Sequence, residues 1–289
     1  MDTDRKHYRQ QGTLSNLKNI SYRIGAWLRY YTGAQGNILA TPPSDYKLVL
    51  DSQTPVGGDN NWRTGHPWGR VHADQLWRYW PRETVVWNRD GVLKLGLQRI
   101  PRRFKRAEQP RWLQGRLPVE WTPQWATGLV SSKDSYTYGW FEAQIKLPTQ
   151  KWMWSAFWLM GRDGWPPEID IFEALTRENG EDISMLPNIH WGDKGSTTFP
   201  KGDWGAPRIK LKSPNRRWIQ YACHWTPEFI RIYMDGHLVQ ECTIPRVLEQ
   251  FSVPQYVILN NGCQNPKVTG GEPSEGTMEV RGVKVYQKN

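Results

Sequence analysis

Three carboxylates fall within six residues of the run Trp165-Pro-Pro-Glu168-Ile-Asp170-Ile-Phe-Glu173. Ile169, Ile171 and Phe172 are residue types that fit a pleated, half-buried strand. Side chains alternate along a strand, so Glu168 and Asp170 share a face, while Glu173, five residues on, points the other way. One extra residue in a β-bulge around Ile171 or Phe172 would return Glu173 to the acidic face. Three acids crowded on one face repel one another, and at least one pKa must rise. A hydrophobic core gains nothing from that crowding. Glycosidic-bond chemistry requires it, because one carboxylate must stay ionised while another holds a proton. The alternative, a solvated acidic edge, is weakened by the flanking sequence.

The elements around the trio read as short strands with turn chemistry between them. Strand patterns fall at Tyr46–Leu50, Glu83–Trp87, Val92–Leu97, Gly128–Ser132, Trp140–Leu147, Ser155–Met160, Glu168–Ala174, Asn188–Trp191, Trp218–Trp225, Phe229–Met234, Leu238–Thr243, Gln255–Asn260 and Met278–Tyr286. Many short strands with little helix mean an all-β sandwich, and 289 residues can form one such domain. Residues 45–289 are read as that domain. Residues 1–44 are read as a basic extension, with Ile20–Tyr31 forming an amphipathic helix whose face carries Ile24, Leu28 and Tyr31.

Composition narrows the partners. Eighteen Trp and twelve Tyr suggest amphipathic rings at surfaces and clefts. A net charge of +10 predicts attraction to a polyanion. No nucleic-acid motif accompanies that charge and no stretch is long enough to span a bilayer, so neither nucleic acid nor membrane is expected as a partner. The segment Arg99–Arg116 is a basic loop with embedded aromatics, and Arg102, Arg103 and Arg106 present planar forks that suit a carboxylate or sulfate. The wide spacing of Cys223, Cys242 and Cys263 fits no zinc site. A hairpin centred on Asp235-Gly236 sets Cys242 opposite Phe229, so a Cys223–Cys242 disulfide is not expected and all three thiols read as buried small apolar groups.

Glu168-x-Asp170-x-x-Glu173 resembles the β-bulge signature of glycoside hydrolase family 16. So do Thr127-Gly-Leu-Val-Ser-Ser-Lys133, Tyr138-Gly-Trp-Phe-Glu-Ala-Gln-Ile-Lys-Leu-Pro148, Ser155-Ala-Phe-Trp158, Trp225–Gly236 and Met278–Tyr286. One departure stands at Leu50-Asp-Ser-Gln53, where members often carry an acidic-aromatic element. The resemblance implies a β-jelly roll of two curved antiparallel sheets with a concave substrate cleft. It makes Glu168 the nucleophile, Glu173 the acid/base and Asp170 the residue that sets the charge balance between them. Trp158 resembles a tryptophan beside the cleaved bond, with Trp152, Trp154 and Trp165 as further candidates for the same cleft. His190 resembles a position that touches the sugar near the acid/base.

What the resemblance implies is a retaining endo-acting β-glycanase on a β-1,3- or β-1,3-1,4-glucan or a related acidic exopolysaccharide. The alternatives are a sulfated-galactan hydrolase, a transglycosylase and a non-catalytic carbohydrate-binding jelly roll. No cofactor is required. A structural Ca²⁺ on the outer face fits the analogy; with no Asp-rich ligand loop it would be held by backbone oxygens. A monomer is expected. The N-terminus shows a basic start with no apolar run after it, so the expectation of an extracellular setting rests on the resemblance.

Overall fold

The computed structural model describes residues 14, 17–22, 24–25, 40–52, 61–88, 90–179, 182–192, 197–199, 209–212 and 218–289. Its strands, numbered in chain order, make two antiparallel layers. The backing sheet runs β4 (Val85–Trp87), β5 (Leu93–Gln98), β19 (Gly276–Lys288), β9 (Gly139–Lys146), β15 (Ile219–Trp225), β16 (Ile230–Met234) and β17 (His237–Cys242). Strand β1 (Tyr46–Asp51) pairs with the last part of β19. The second sheet runs β2 (Trp62–Thr64), β8 (Trp125–Tyr136), β18 (Gln255–Cys263), β10 (Met153–Gly161), β11 (Glu168–Thr176) and β12 (Asp182–Trp191), then β13 (Thr197–Phe199) and β14 (Ile209–Lys212). Strand β3 (Arg78–Tyr79) lies parallel to the start of β8, and β6 (Phe104–Lys105) pairs with β7 (Glu120–Trp121). The all-β jelly-roll expectation holds.

Period-two patterning explains both layers. In β5, Leu93, Leu95 and Leu97 are buried while Lys94, Gly96 and Gln98 alternate outward. In β10, Phe157 and Leu159 enter the core, while Trp154, Ala156, Trp158 and Met160 face the open side of the sheet. The two sheets meet through Phe172 of β11 and Tyr221 of β15, whose ring centroids lie 4.3 Å apart.

Strand β11 carries the expected bulge. On β10, Trp158 pairs with Asp170 and Phe157 with Phe172, which leaves Ile171 as the extra residue. On β12, Asn188 pairs with Asp170 and Leu186 with Glu173, so Pro187 is the residue opposite the bulge. A proline has no N–H to lose from the ladder there. Ile171 and Phe172 are both buried in the core, and Glu173 returns to the face of Glu168 and Asp170.

Several boundaries differ from the sequence reading. Glu83 sits in a 3₁₀ turn, Arg82–Thr84, and the strand begins at Val85. Strands β2, β3, β13 and β14 are too short or too polar to show as patterns. A bulge between Ile232 and Tyr233 shifts the hairpin register by one, so Cys242 pairs with Ile230 and not Phe229. All three cysteines are free and buried. In the N-terminal extension, the described residues 14, 17–22, 24 and 25 are helical, while Leu28 and Tyr31 lie outside the described residues. The buried Asn19 side chain accepts from the Glu241 N–H at 2.8 Å and donates to the Glu241 carbonyl at 3.2 Å, so it closes part of the β17 edge.

Strand β8 belongs to both layers. It pairs with β5 at Ala126 and Thr127 and with β18 from Gly128 onward. At that crossover a Cβ on Gly128 would stand 2.7 Å from the Leu95 Cα and 2.8 Å from the Thr84 carbonyl oxygen. Backbone atoms cannot yield cheaply. Gly128→Ala should therefore cost about 1–3 kcal/mol of stability, the usual range for overpacking. Urea unfolding measures it, and an unchanged midpoint would show that the sheets can separate there at little cost.

Candidate active site

The open face of the second sheet floors a cleft of about 960 Å³. β11 supplies Glu168, Asp170 and Glu173, β10 supplies Trp154 and Trp158, and β12 supplies His190. The Ile171 bulge is what brings the third acid to this floor. Trp165, 44% exposed, stands at the rim with its ring 5.9 Å from that of His190.

The acids form one coupled set. The Glu168 and Asp170 carboxyl groups lie close enough on β11 to share a proton. His190 Nε2 lies 3.1 Å from Asp170 Oδ2 and 3.5 Å from Glu168 Oε1. The Asp170 oxygen nonetheless accepts no well-aligned hydrogen bond, so the histidine contact is one of proximity and charge. Asn188 Nδ2 approaches the same imidazole nitrogen at 3.3 Å. Glu173 Oε1 accepts from the Trp154 indole N–H at 2.9 Å. Burial pushes the pKa of Glu168 well up, and the Asp170 charge adds to that rise. Burial also pushes Asp170 well up, with Glu173 adding to it. Glu173 is raised by burial and pulled back by the Trp154 hydrogen bond and by the charges of His190 and Arg78. Neighbouring carboxylates that share protons titrate as a group. One donor atom each from Glu168, Asp170 and His190 lies within 4.8 Å of the others.

Trp158 donates from Nε1 to Asn260 Oδ1 at 2.8 Å, which fixes the ring at the cleft wall. The far wall comes from residues that the sequence reading did not select. His66 stacks on Trp68 with centroids 4.4 Å apart and meets Trp80 edge-on at 4.5 Å. Burial holds the His66 pKa well below the ordinary histidine value, so the ring is neutral at pH 7. Gln75, Arg78, Trp112 and Arg116 complete that side. Trp112 and Arg116 belong to the basic loop, and the one visible signal for the others is the density of Trp and His between residues 62 and 80.

Trp152, Arg102 and Arg103 do not line the cleft. Trp152 has a left-handed backbone (φ 60°), which interrupts the alternation just before β10 and turns the ring against Gly271. Arg103 pairs with Glu120 across the β6–β7 ladder, and the Arg102 guanidinium lies 5.4 Å over the Phe104 ring. Of the basic loop, Trp112 and Arg116 reach the cleft, and Arg116 is paired with Asp74 at 2.7 Å.

Two packed antiparallel sheets with a crowded carboxylate strand under an aromatic cleft are the architecture of a jelly-roll glycoside hydrolase. Residues 75–261 match the family described as Glycosyl hydrolases family 16, and the chain belongs to that family. Among its relatives is the endo-1,3-1,4-beta-glycanase EglC of Rhizobium meliloti, 30% identical over 169 residues, which are 56% of this chain and 33% of that protein. The beta-glucanase of Rhodothermus marinus is 25% identical over 214 residues, 68% of this chain and 66% of that protein. The chain thus spans about a third of the rhizobial relative's length. The crystal structure of SCLam, a non-specific endo-beta-1,3(4)-glucanase, overlays with a TM-score of 0.64 at 26% identity, covering 89% of this chain and 96% of that one. A mutant of that enzyme holds a 1,3-beta-D-cellobiosyl-glucose at its active site. It overlays at 0.63 with 25% identity over 88% of this chain and all of that one.

An acid whose folded-state pKa lies above its unfolded value weakens the fold as pH rises past the unfolded value. Glu168 is such an acid. Glu168→Gln should therefore melt at a higher temperature than the wild type at pH 7. The gap should close as pH falls below about 4, where the unfolded carboxyl is protonated too. Calorimetry across pH checks this, and a variant that melts lower at pH 7 would show that the trio is not strained.

Proposed function

We propose that this chain is a retaining endo-acting hydrolase of β-1,3- and mixed-linkage β-1,3-1,4-glucans. The observation that carries the reading is the Ile171 bulge, which sets Glu168, Asp170 and Glu173 together on the floor of a tryptophan-lined cleft. In this reading Glu168 Oε attacks the anomeric carbon and Glu173 gives its proton to the departing glycosidic oxygen. The bond to the leaving sugar breaks as the bond to Glu168 forms. Glu173, now ionised, takes a proton from water, and the resulting hydroxyl displaces Glu168. The Trp154 hydrogen bond directs Glu173, while Asp170 between them sets the charge balance of the two glutamates.

The charge of the cleft favours a neutral polymer over an acidic one. Its lining carries Arg78, Arg116 and Arg162 against Asp74, Asp163, Glu168, Asp170 and Glu173. Arg116 and Arg162 are already paired with Asp74 and Asp163. The glucan-bound state of the SCLam mutant supports the same substrate class.

The test is reducing-end release from laminarin and lichenan beside succinoglycan, agarose and carrageenan. Laminarin and lichenan should be cut with retention at the new anomeric centre. Glu173→Gln should slow turnover by about 10²–10⁴-fold, the usual weight of a general acid. Glucan cleavage should vary little between about 50 and 300 mM salt, since a neutral chain has no charge to screen. Cleavage confined to carrageenan or succinoglycan, with strong salt dependence, would overturn the neutral-glucan reading. Products longer than the donor would show transfer instead of hydrolysis.

A further inference from the structure

Arg78 is a buried cation beside the site that the double displacement leaves without a part. It is 4% exposed, and its hydrogen-bond acceptors are all neutral. Burial lowers its pKa to about 10, still high enough to keep the charge at neutral pH. The fork donates to Gln75 Oε1 at 2.9 Å from Nε and at 2.7 Å from Nη2, and Nη1 donates to the Cys263 carbonyl at 3.3 Å. Its guanidinium carbon lies 4.9 Å over the Trp154 ring, 5.6 Å over Trp80 and 5.7 Å over Trp77. A buried charge is costly, and a neutral side chain of similar volume would fit such a pocket with less strain.

The surroundings are shaped for this charge. Gly262 pairs directly with Trp154 in the β10–β18 ladder. A Cβ on Gly262 would stand 1.9 Å from Arg78 Nη1, so the glycine leaves the gap that the guanidinium fills beside the indole. The indole N–H in turn holds Glu173 Oε1 at 2.9 Å.

We propose that Arg78 is a positioning residue for the acid/base: it clamps the Trp154 ring whose indole N–H holds Glu173. The proposal rests on the hydrolase reading for its catalytic meaning, not for its physical test. Other groups also face Glu173: Asp170 and Glu168 from its own strand, His190 from β12 and the Trp154 dipole from β10. Near Arg78 stand His66 and His72, both held towards the neutral form by burial. Arg78 is therefore the one permanent cation acting on Glu173 among the described groups. Removing it should raise the pKa of Glu173, since an opposite charge favours the ionised form.

The experiment uses protein with ¹⁵N-labelled tryptophan, the Trp154 indole signal being assigned by its loss in Trp154→Phe. Its pH titration should follow Glu173 and disappear in Glu173→Gln. In Arg78→Met the midpoint should rise by at least about 0.5 pH unit. The alkaline limb of kcat/KM on laminarin should move the same way, with kcat falling and KM changing little. Arg78→Lys, which keeps the charge, should hold the midpoint near the wild-type value. A folded Arg78→Met with an unmoved midpoint would overturn the proposal. If Arg78→Met does not fold, Gly262→Ala displaces the guanidinium instead, and an unmoved midpoint in that variant overturns the proposal equally. Should the wild type cleave no glucan, the hydrolase reading fails, while the indole titration still decides the role of Arg78.

Discussion

Like charges held on one face of a strand repel, and this repulsion is the constraint around which the chain is organised. The cleft floor concentrates three carboxylates where burial weakens solvation, and all three have raised pKa values for that reason. Such a set cannot hold three full charges at neutral pH. It shares protons, and sharing is what a two-step displacement uses: one group ready to attack, another ready to donate. The flanking groups read as means of dividing the protons. His190 sits against Asp170 and Glu168, while Trp154 and Arg78 act on Glu173. The two ends of the trio are thus held in different environments, which is the condition for different roles.

The bulge that creates the crowding also imposes on the core. Two successive residues, Ile171 and Phe172, point inward, so the core beneath β11 must accept a second large side chain where a regular strand would send one outward. Tyr221 of the backing sheet takes Phe172 at 4.3 Å, and Pro187 faces the interrupted ladder without an N–H to leave unpaired. Catalytic geometry and packing are therefore one problem at this position. A regular β11 would have better ladder hydrogen bonds and would turn Glu173 away from the cleft.

The trio and its bulge were legible in sequence because period-two alternation is strict enough for one misplaced acid to demand a local irregularity. Trp154 and Trp158 were offered by the resemblance alone, and the alternation of β10 puts both on the cleft face. Trp152, two residues earlier, fits the parity but not the backbone, since a left-handed residue ends the alternation. Gln75, His66, Trp68 and Arg78 were not legible, for they come from two- and three-residue strands and turns that show no periodicity. Their partners, such as Gly262 and Cys263, lie nearly two hundred residues away. The hairpin register around Cys242 failed for a related reason: a bulge among residues of uniform strand propensity leaves no mark in composition.

Charge was the least transferable inference, and the structure shows why. Seven residues of the basic loop are Arg or Lys. Composition counts charges without their partners. Arg103 pairs with Glu120, Arg116 with Asp74, and Arg102 lies over a phenyl ring, so little of that density is presented to a ligand in the cleft. Net charge acts over a Debye length, whereas recognition in a cleft depends on contacts of a few ångströms. At that range the acids outnumber the arginines, and the one arginine that is buried is turned inward onto three tryptophans. A positive chain with an acidic cleft is then no contradiction, since the first describes the surface far from substrate and the second describes what the sugar meets.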